Sequence, residues 1–126
     1  MLLLLLFSLN ASAAVKHSSA DQLLQYAKIA DTALRDNDKC SFKVDEKVNS
    51  ITLSIKDEKN NAFSYSITRK VEISLYSEKR IPEDSYNETF FIKGGFSIQF
   101  VNGGNEFLSV EMVKSKEQIY SCELTI

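Results

Sequence analysis

The stretch FFIKGGFSIQFVNGGNEFLSVEMV, residues 90–113, decides the fold. Its apolar side chains fall on even numbers: Phe90, Ile92, Phe96, Ile98, Phe100, Leu108, Val110 and Met112. A period of two is that of a half-buried strand, with one face on a core and the other in water. For apolar residues to meet across a hairpin, paired numbers must sum to an even value, which requires an odd loop. A three-residue loop Lys93-Gly94-Gly95 pairs Ile92 with Phe96 and Phe90 with Ile98. The same arithmetic at Gly103-Gly104-Asn105 pairs Phe100 with Leu108 and Ile98 with Val110. Glycine supplies the positive φ that an odd hairpin loop needs. Two-residue Gly-Gly turns would instead set Phe96 against Lys93 and Ile98 against Ser109.

Working outward, even parity continues through Tyr120, Cys122 and Leu124. Upstream, Cys40, Phe42 and Val44 alternate with polar residues, as do Ile51, Leu53 and Ile55, and then Phe63, Tyr65 and Ile67. The last parity runs on through Arg69 to Val71, Ile73 and Leu75 without Gly, Asn or Pro. That stretch reads either as one long bent strand or as two strands joined by a turn at Thr68–Lys70, and because Thr68-Arg69-Lys70 is poor turn chemistry the long strand is expected. Residues 77–88, around Pro82, break the pattern and read as the longest irregular loop. Ahead of the strands, residues 19–35 form the convincing amphipathic helix, with Leu23, Ala27, Ala30 and Leu34 in the stripe, widened by Leu24, Tyr26 and Ile29. Ser19 and Gln22 fit a capping box, and Asp36-Asn37-Asp38 ends the helix.

The expected fold is therefore α+β, mostly β: a helix over 19–35 followed by a seven- or eight-stranded antiparallel meander over 39–126. Cys40 and Cys122 fall on the buried side of the first and last strands. A bridge between them would draw the ends of the meander together, giving a strongly curved sheet or a small barrel.

The N-terminal end is an address. Residues 2–9 read LLLLLFSL and lead into Asn10-Ala11-Ser12-Ala13, the h-region and small-residue cleavage site of a secretory signal. The apolar run is far short of the ~20 residues that cross a bilayer. Residues 1–13 are expected to be a signal peptide, leaving a single exported domain over 14–126 in the periplasm or the medium, with no membrane insertion after leader removal. In an oxidising compartment the two cysteines are most simply one disulfide, Cys40–Cys122. Chain-entropy estimates for closing a loop of this order give roughly 3–4.7 kcal/mol.

The 126 residues suit one domain, and 44% hydrophobic with 25% charged residues is an ordinary globular composition. A net charge of -2 supplies no field for nucleic acid. The single imidazole, His17, lies near the expected mature terminus, a poor platform for a catalytic base. With both thiols in the bridge and no phosphate-loop or calcium-loop motif, no catalytic residue, metal or cofactor is assigned. Carboxylates are plentiful, but Glu72 and Glu111 have solvent-side parity, and the pairs Asp57-Glu58 and Glu83-Asp84 lie in expected loops. Asn87-Glu88-Thr89 spells a glycosylation acceptor for a eukaryotic host.

What remains is recognition by surface shape. The expected function is non-catalytic binding of a protein partner through the loop 77–88, with Arg80, Ile81 and Tyr86, and through the nearby aromatics Tyr76, Phe91 and Phe107. Two alternatives stand beside it: a carrier of a small apolar ligand inside a barrel lined by Phe42, Phe90, Phe96 and Phe100, and a carboxylate-dependent hydrolase of cell-wall or sugar polymers. The leader has its own test. The intact mass of the exported protein should correspond to a chain beginning near Ala14, and retention of Met1 on that form would contradict it.

Overall fold

The computed structural model describes residues 13–80, 85–103 and 106–124. A strand β1 (Ala13–Ser18) leads into the helix α1 (Ala20–Ala33). There follow β2 (Ser41–Glu46), β3 (Ser50–Lys56), β4 (Ala62–Thr68), β5 (Ile73–Arg80), β6 (Ser85–Ile92), β7 (Phe96–Gly103), β8 (Glu106–Lys114) and β9 (Glu117–Glu123). The fold is mostly β with one helix, as expected, but the nine described strands form two antiparallel sheets rather than one meander. A six-stranded sheet has the order β1-β5-β6-β7-β8-β9, and a three-stranded sheet the order β2-β3-β4. Neither closes on itself, so the expected barrel is replaced by two open sheets packed across a common core.

Ser19 caps α1, its hydroxyl accepting from the Gln22 backbone N–H at 3.2 Å. The reciprocal half of the capping box is absent, because the Gln22 side chain accepts from Ser18 Oγ at 2.7 Å instead. Ala27 and Ala30 are fully buried, and these short side chains let the helix approach β2 and β8 closely. Tyr26 reaches over the large sheet, its ring 5.2 Å from Phe90 and 5.7 Å from Phe100. Ile29, counted into the stripe, is 54% exposed.

The small sheet lies over the large one through Phe42, whose ring is 6.2 Å from Phe100 and 6.3 Å from Tyr120. Phe42, Phe90 and Phe100 are each at most 1% exposed. A fully buried side chain of this class contributes roughly 1.5–3 kcal/mol, so the rings together outweigh any single crosslink. The crosslink is nevertheless present: Cys40 and Cys122 are bonded, with Cα atoms 5.9 Å apart, and join the residue before β2 to β9.

Three sequence expectations give way. Residues 63–75 are not one strand: β4 ends at Thr68, Val71 N–H donates back to the Thr68 carbonyl at 3.2 Å, and β5 enters the other sheet. Arg69 forms this corner by long-range ion pairs, which local turn chemistry does not reveal. Nor are residues 77–88 an irregular loop. β5 runs to Arg80, β6 begins at Ser85, and Arg80 pairs with Ser85, so only 81–84 fall outside the described residues. Polar side chains on both faces erased the hydropathy period, while the ladder and the Ser77–Glu88 hydrogen bond hold the strands.

The third concerns the loop after β7. The hairpin at Lys93-Gly94-Gly95 has the expected register, with φ of 118° at Gly94 and 84° at Gly95. At 103–105, however, Gly103 pairs with Glu106 and Asn102 with Phe107, and past a bulge Phe100 pairs with Val110 and Ile98 with Met112, in place of the expected Leu108 and Val110. Leu108 is the inserted residue. A Cβ on Gly103 would sit 3.0 Å from Leu108 Cδ1, so this glycine serves close approach. The bulge turns Phe107, expected on the outer face, into the core at 5% exposure.

Replacing both bridging cysteines by serine is expected to lower stability by about 2–5 kcal/mol. Urea unfolding with tyrosine fluorescence reads this directly, and an unchanged midpoint would contradict it.

Candidate functional site

A cleft of about 990 Å3 runs between β9 and the β3–β4 turn, with Lys39, Asp57, Lys59, Tyr120, Ser121 and Glu123 among its lining. Both walls are tied down. Cys122 is bridged to Cys40, and the Tyr120 hydroxyl donates to the Ser41 carbonyl at 2.7 Å. Asn37 accepts from the backbone N–H groups of Lys39 and Cys40 at 2.9 and 3.2 Å, and its Nδ2 donates to the Glu123 carbonyl at 3.3 Å. The residue that helps stop the helix thus also anchors the last strand.

The opposite wall is an aspartate turn. The Asp57 carboxylate accepts from the backbone N–H of Lys59 and of Asn61, both at 2.9 Å, and from Asn61 Nδ2 at 3.2 Å. Asn60 occupies the left-handed region at φ 69°, which asparagine tolerates. The hydrogen bond from the Asn61 backbone, more than any other factor, holds the Asp57 carboxyl below its usual range. Burial, and secondarily the Asp57 charge, push the Tyr120 hydroxyl far up, so it remains a donor.

The floor of the cleft is the outer edge of β9. In an antiparallel ladder, residues alternate between bonding to the neighbour and turning N–H and C=O away from it. Leu124 N–H donates to the Leu108 carbonyl at 2.8 Å, which fixes the phase. By the observed register Cys122 and Tyr120 then bond to β8, while Ser121 and Glu123 turn their backbone groups to the cleft. Asn37 takes the Glu123 carbonyl, leaving Ser121 as the exposed edge position.

Among the described residues, those singled out by sequence do not come together. Tyr76 sits on the outer face of β5, its hydroxyl donating to Glu78 at 3.0 Å, a bond that raises its pKa. Tyr86 points to the opposite face of the sheet, where the Lys79 ammonium lies 5.5 Å from its ring centre. Phe91 is 49% exposed as expected, but at the far end of β6. Phe107 is in the core, Arg80 ends β5, and Ile81 lies outside the described residues.

Other candidates have equally plain placements. Phe42, Phe90 and Phe100 pack ring against ring, and Phe96 stacks on Tyr65 at 5.3 Å. Glu72 pairs with Lys93 at 3.6 Å, Glu111 accepts from Gln118 at 3.1 Å, and Glu83-Asp84 lie outside the described residues. His17 is exposed on β1, opposite Ser74. Asn87 of the glycosylation triplet is 5% exposed within a central strand, inaccessible to a modifying enzyme. Among the described residues no group of His, Cys, Asp and Glu is arranged to hold a metal ion. Sequence reading missed the cleft because its parts lie at 37–41, 57–61 and 118–124; the one local signal was the Asp57–Asn61 turn.

Comparison with family models, with curated proteins and with solved structures gives no match.

The Asp57 turn should titrate with a definite sign. A carboxyl held below its usual value of 3.8 stabilises the fold above that pH and loses the contribution as pH falls through its folded value. Relative to the intrinsic rate at each pH, amide exchange at Lys59 and Asn61 should be slow at neutral pH and lose that protection on acidification through that range. In Asp57→Ala it should be fast throughout, and unchanged protection there would contradict the assignment.

Proposed function

We propose that the chain is an exported, non-catalytic binding protein that holds an extended segment of a protein partner along β9, in the cleft beneath the Asp57 turn. The supporting observation is the edge itself: Ser121 presents backbone N–H and C=O to a cleft whose two walls are fixed by a disulfide and three side-chain-to-backbone ties. Such an edge accepts an added strand through main-chain hydrogen bonds, while flanking side chains select the sequence. Lys39 and Glu123 on one wall and Asp57, Glu58 and Lys59 on the other line the cleft with both charge signs, so a segment carrying both charge signs is favoured. Glu117 and Glu123 bracket the strand and disfavour its pairing with an identical edge. The leader-like N-terminal sequence and the bridge are compatible with an exported protein.

The test is capture from the extracytoplasmic fraction by immobilised wild-type protein, Ser121→Pro and Tyr86→Ala. Proline at 121 removes an outward N–H and leaves the β8 ladder untouched. The proposal expects a partner retained by wild type and Tyr86→Ala and weakened at least tenfold by Ser121→Pro. Equal retention by Ser121→Pro overturns the β9 assignment.

A further inference from the structure

The two sheets leave four edges among the described residues: β1, β9, β2 and β4. Three are guarded. β1 exposes Lys16 and His17. β9 carries Glu117 and Glu123, and Asn37 caps its Glu123 carbonyl. On β2, which carries Lys43, Asp45 and Glu46, the outward N–H of Val44 donates to Asp31 of α1 at 3.0 Å. β4, reading AFSYSIT, has no charge, no proline and no bulge. An edge of that kind is a template for another strand.

Phase can be assigned to it. Asp57 N–H donates to the Asn61 carbonyl and Arg69 N–H to the Asn49 carbonyl. With the register of β3 on β4, residues 63, 65 and 67 bond inward, and Ser64 and Ser66 turn their N–H and C=O outward. Beside 65–68 lies a groove of about 300 Å3 lined by Tyr65, Ile67, Val71, Ile92 and Phe96, with Lys93 and Lys114 also in its lining. Two residues before it on the same strand, Phe63 is 42% exposed.

We propose that two copies of the chain pair through β4 about a two-fold axis at Tyr65. That axis sets Ser64 against the partner's Ser66, both in outward phase, so each forms a hydrogen-bonded pair. It also sets Phe63 against the partner's Ile67, which brings each Phe63 to the groove of the other copy. Knob and groove lie on one strand at the spacing the symmetry requires, the self-complementarity of an isologous interface. No charged residue of β4 meets its like, because β4 has none. The two three-stranded sheets become one of six, and the β9 edge stays outside the contact.

Sedimentation equilibrium on the disulfide-bonded protein, from about 1 to 100 µM, should give twice the chain mass at the upper end. Phe63→Asp and Ser66→Pro should each raise the dissociation constant at least tenfold, with circular dichroism unchanged. Register is read by mixing Ser64→Cys with Ser66→Cys under mild oxidation. Cα atoms of a hydrogen-bonded pair are ~5.5 Å apart, within disulfide reach, whereas diagonal neighbours are ~7–8 Å apart. The mixture should therefore crosslink and either variant alone should not. A wild type monomeric at 100 µM, or a mixture no more crosslinked than its components, overturns the proposal. Ser121→Pro should leave the dimer intact, so failure here is distinct from failure of the β9 cleft.

Discussion

Arg69 stands where the chain leaves one sheet for the other, and both sheets depend on where it is held. Its guanidinium reaches Asp21 of α1 at 2.6 Å and Glu46 at the end of β2 at 3.1 Å, and its Nε donates to the Lys47 carbonyl at 2.9 Å. One side chain thus ties the first turn of the helix, the β2–β3 corner and the β4–β5 corner. Hydrogen bonds from Lys28 and then from Arg69 keep the Glu46 carboxyl below its ordinary range, so this partner stays charged. Exposed ion pairs contribute little individually, and the weight of this network is geometric. It stops β4 at Thr68, where apolar parity would carry the strand on.

That corner marks the boundary of what hydropathy can reveal. Parity in 90–113 placed the first glycine hairpin in its observed register, and the helix stripe and disulfide pair followed from spacing and cysteine count. Each of these is either local or the sole pairing available. The misread positions rest on contacts that hydropathy does not register: Arg69 pairs with the distant Asp21 and Glu46, and at the β7–β8 bulge Leu108 lies close against Gly103. The 77–88 segment failed for another reason. Ser77, Lys79, Tyr86 and Glu88 stand on the core-side parity of β5 and β6, so backbone pairing makes strands where hydropathy leaves no trace.

The same logic explains why the candidate binding residues are spread over the fold. Loops usually carry binding surfaces, and a twelve-residue loop at 77–88 would gather the aromatics into one patch. Once it becomes a hairpin, alternation sends Tyr76 and Tyr86 to opposite faces. Accessible backbone then resides in strand edges, and the edges are distinguished by how each is guarded. Charge and side-chain caps protect β1 and β2; β9 is charged at both ends with one backbone position open; β4 is neutral throughout. A charged edge disfavours its own copy, and a neutral one does not.

The β9 cleft adds a further constraint, because both walls keep their geometry over a wide pH range. The Asp57 turn requires an ionised carboxylate, and the depressed pKa keeps it ionised from the acid range upward. The Tyr120 tie to Ser41 requires a protonated hydroxyl, and burial beside Asp57 keeps it protonated beyond the usual tyrosine value of 10.0. The two groups reinforce this division, since the negative charge that forms the turn is the one that discourages Tyr120 from ionising. Between these limits the disulfide and the Asn37 ties carry no titrating group. An edge held in this way presents the same backbone groups across that range.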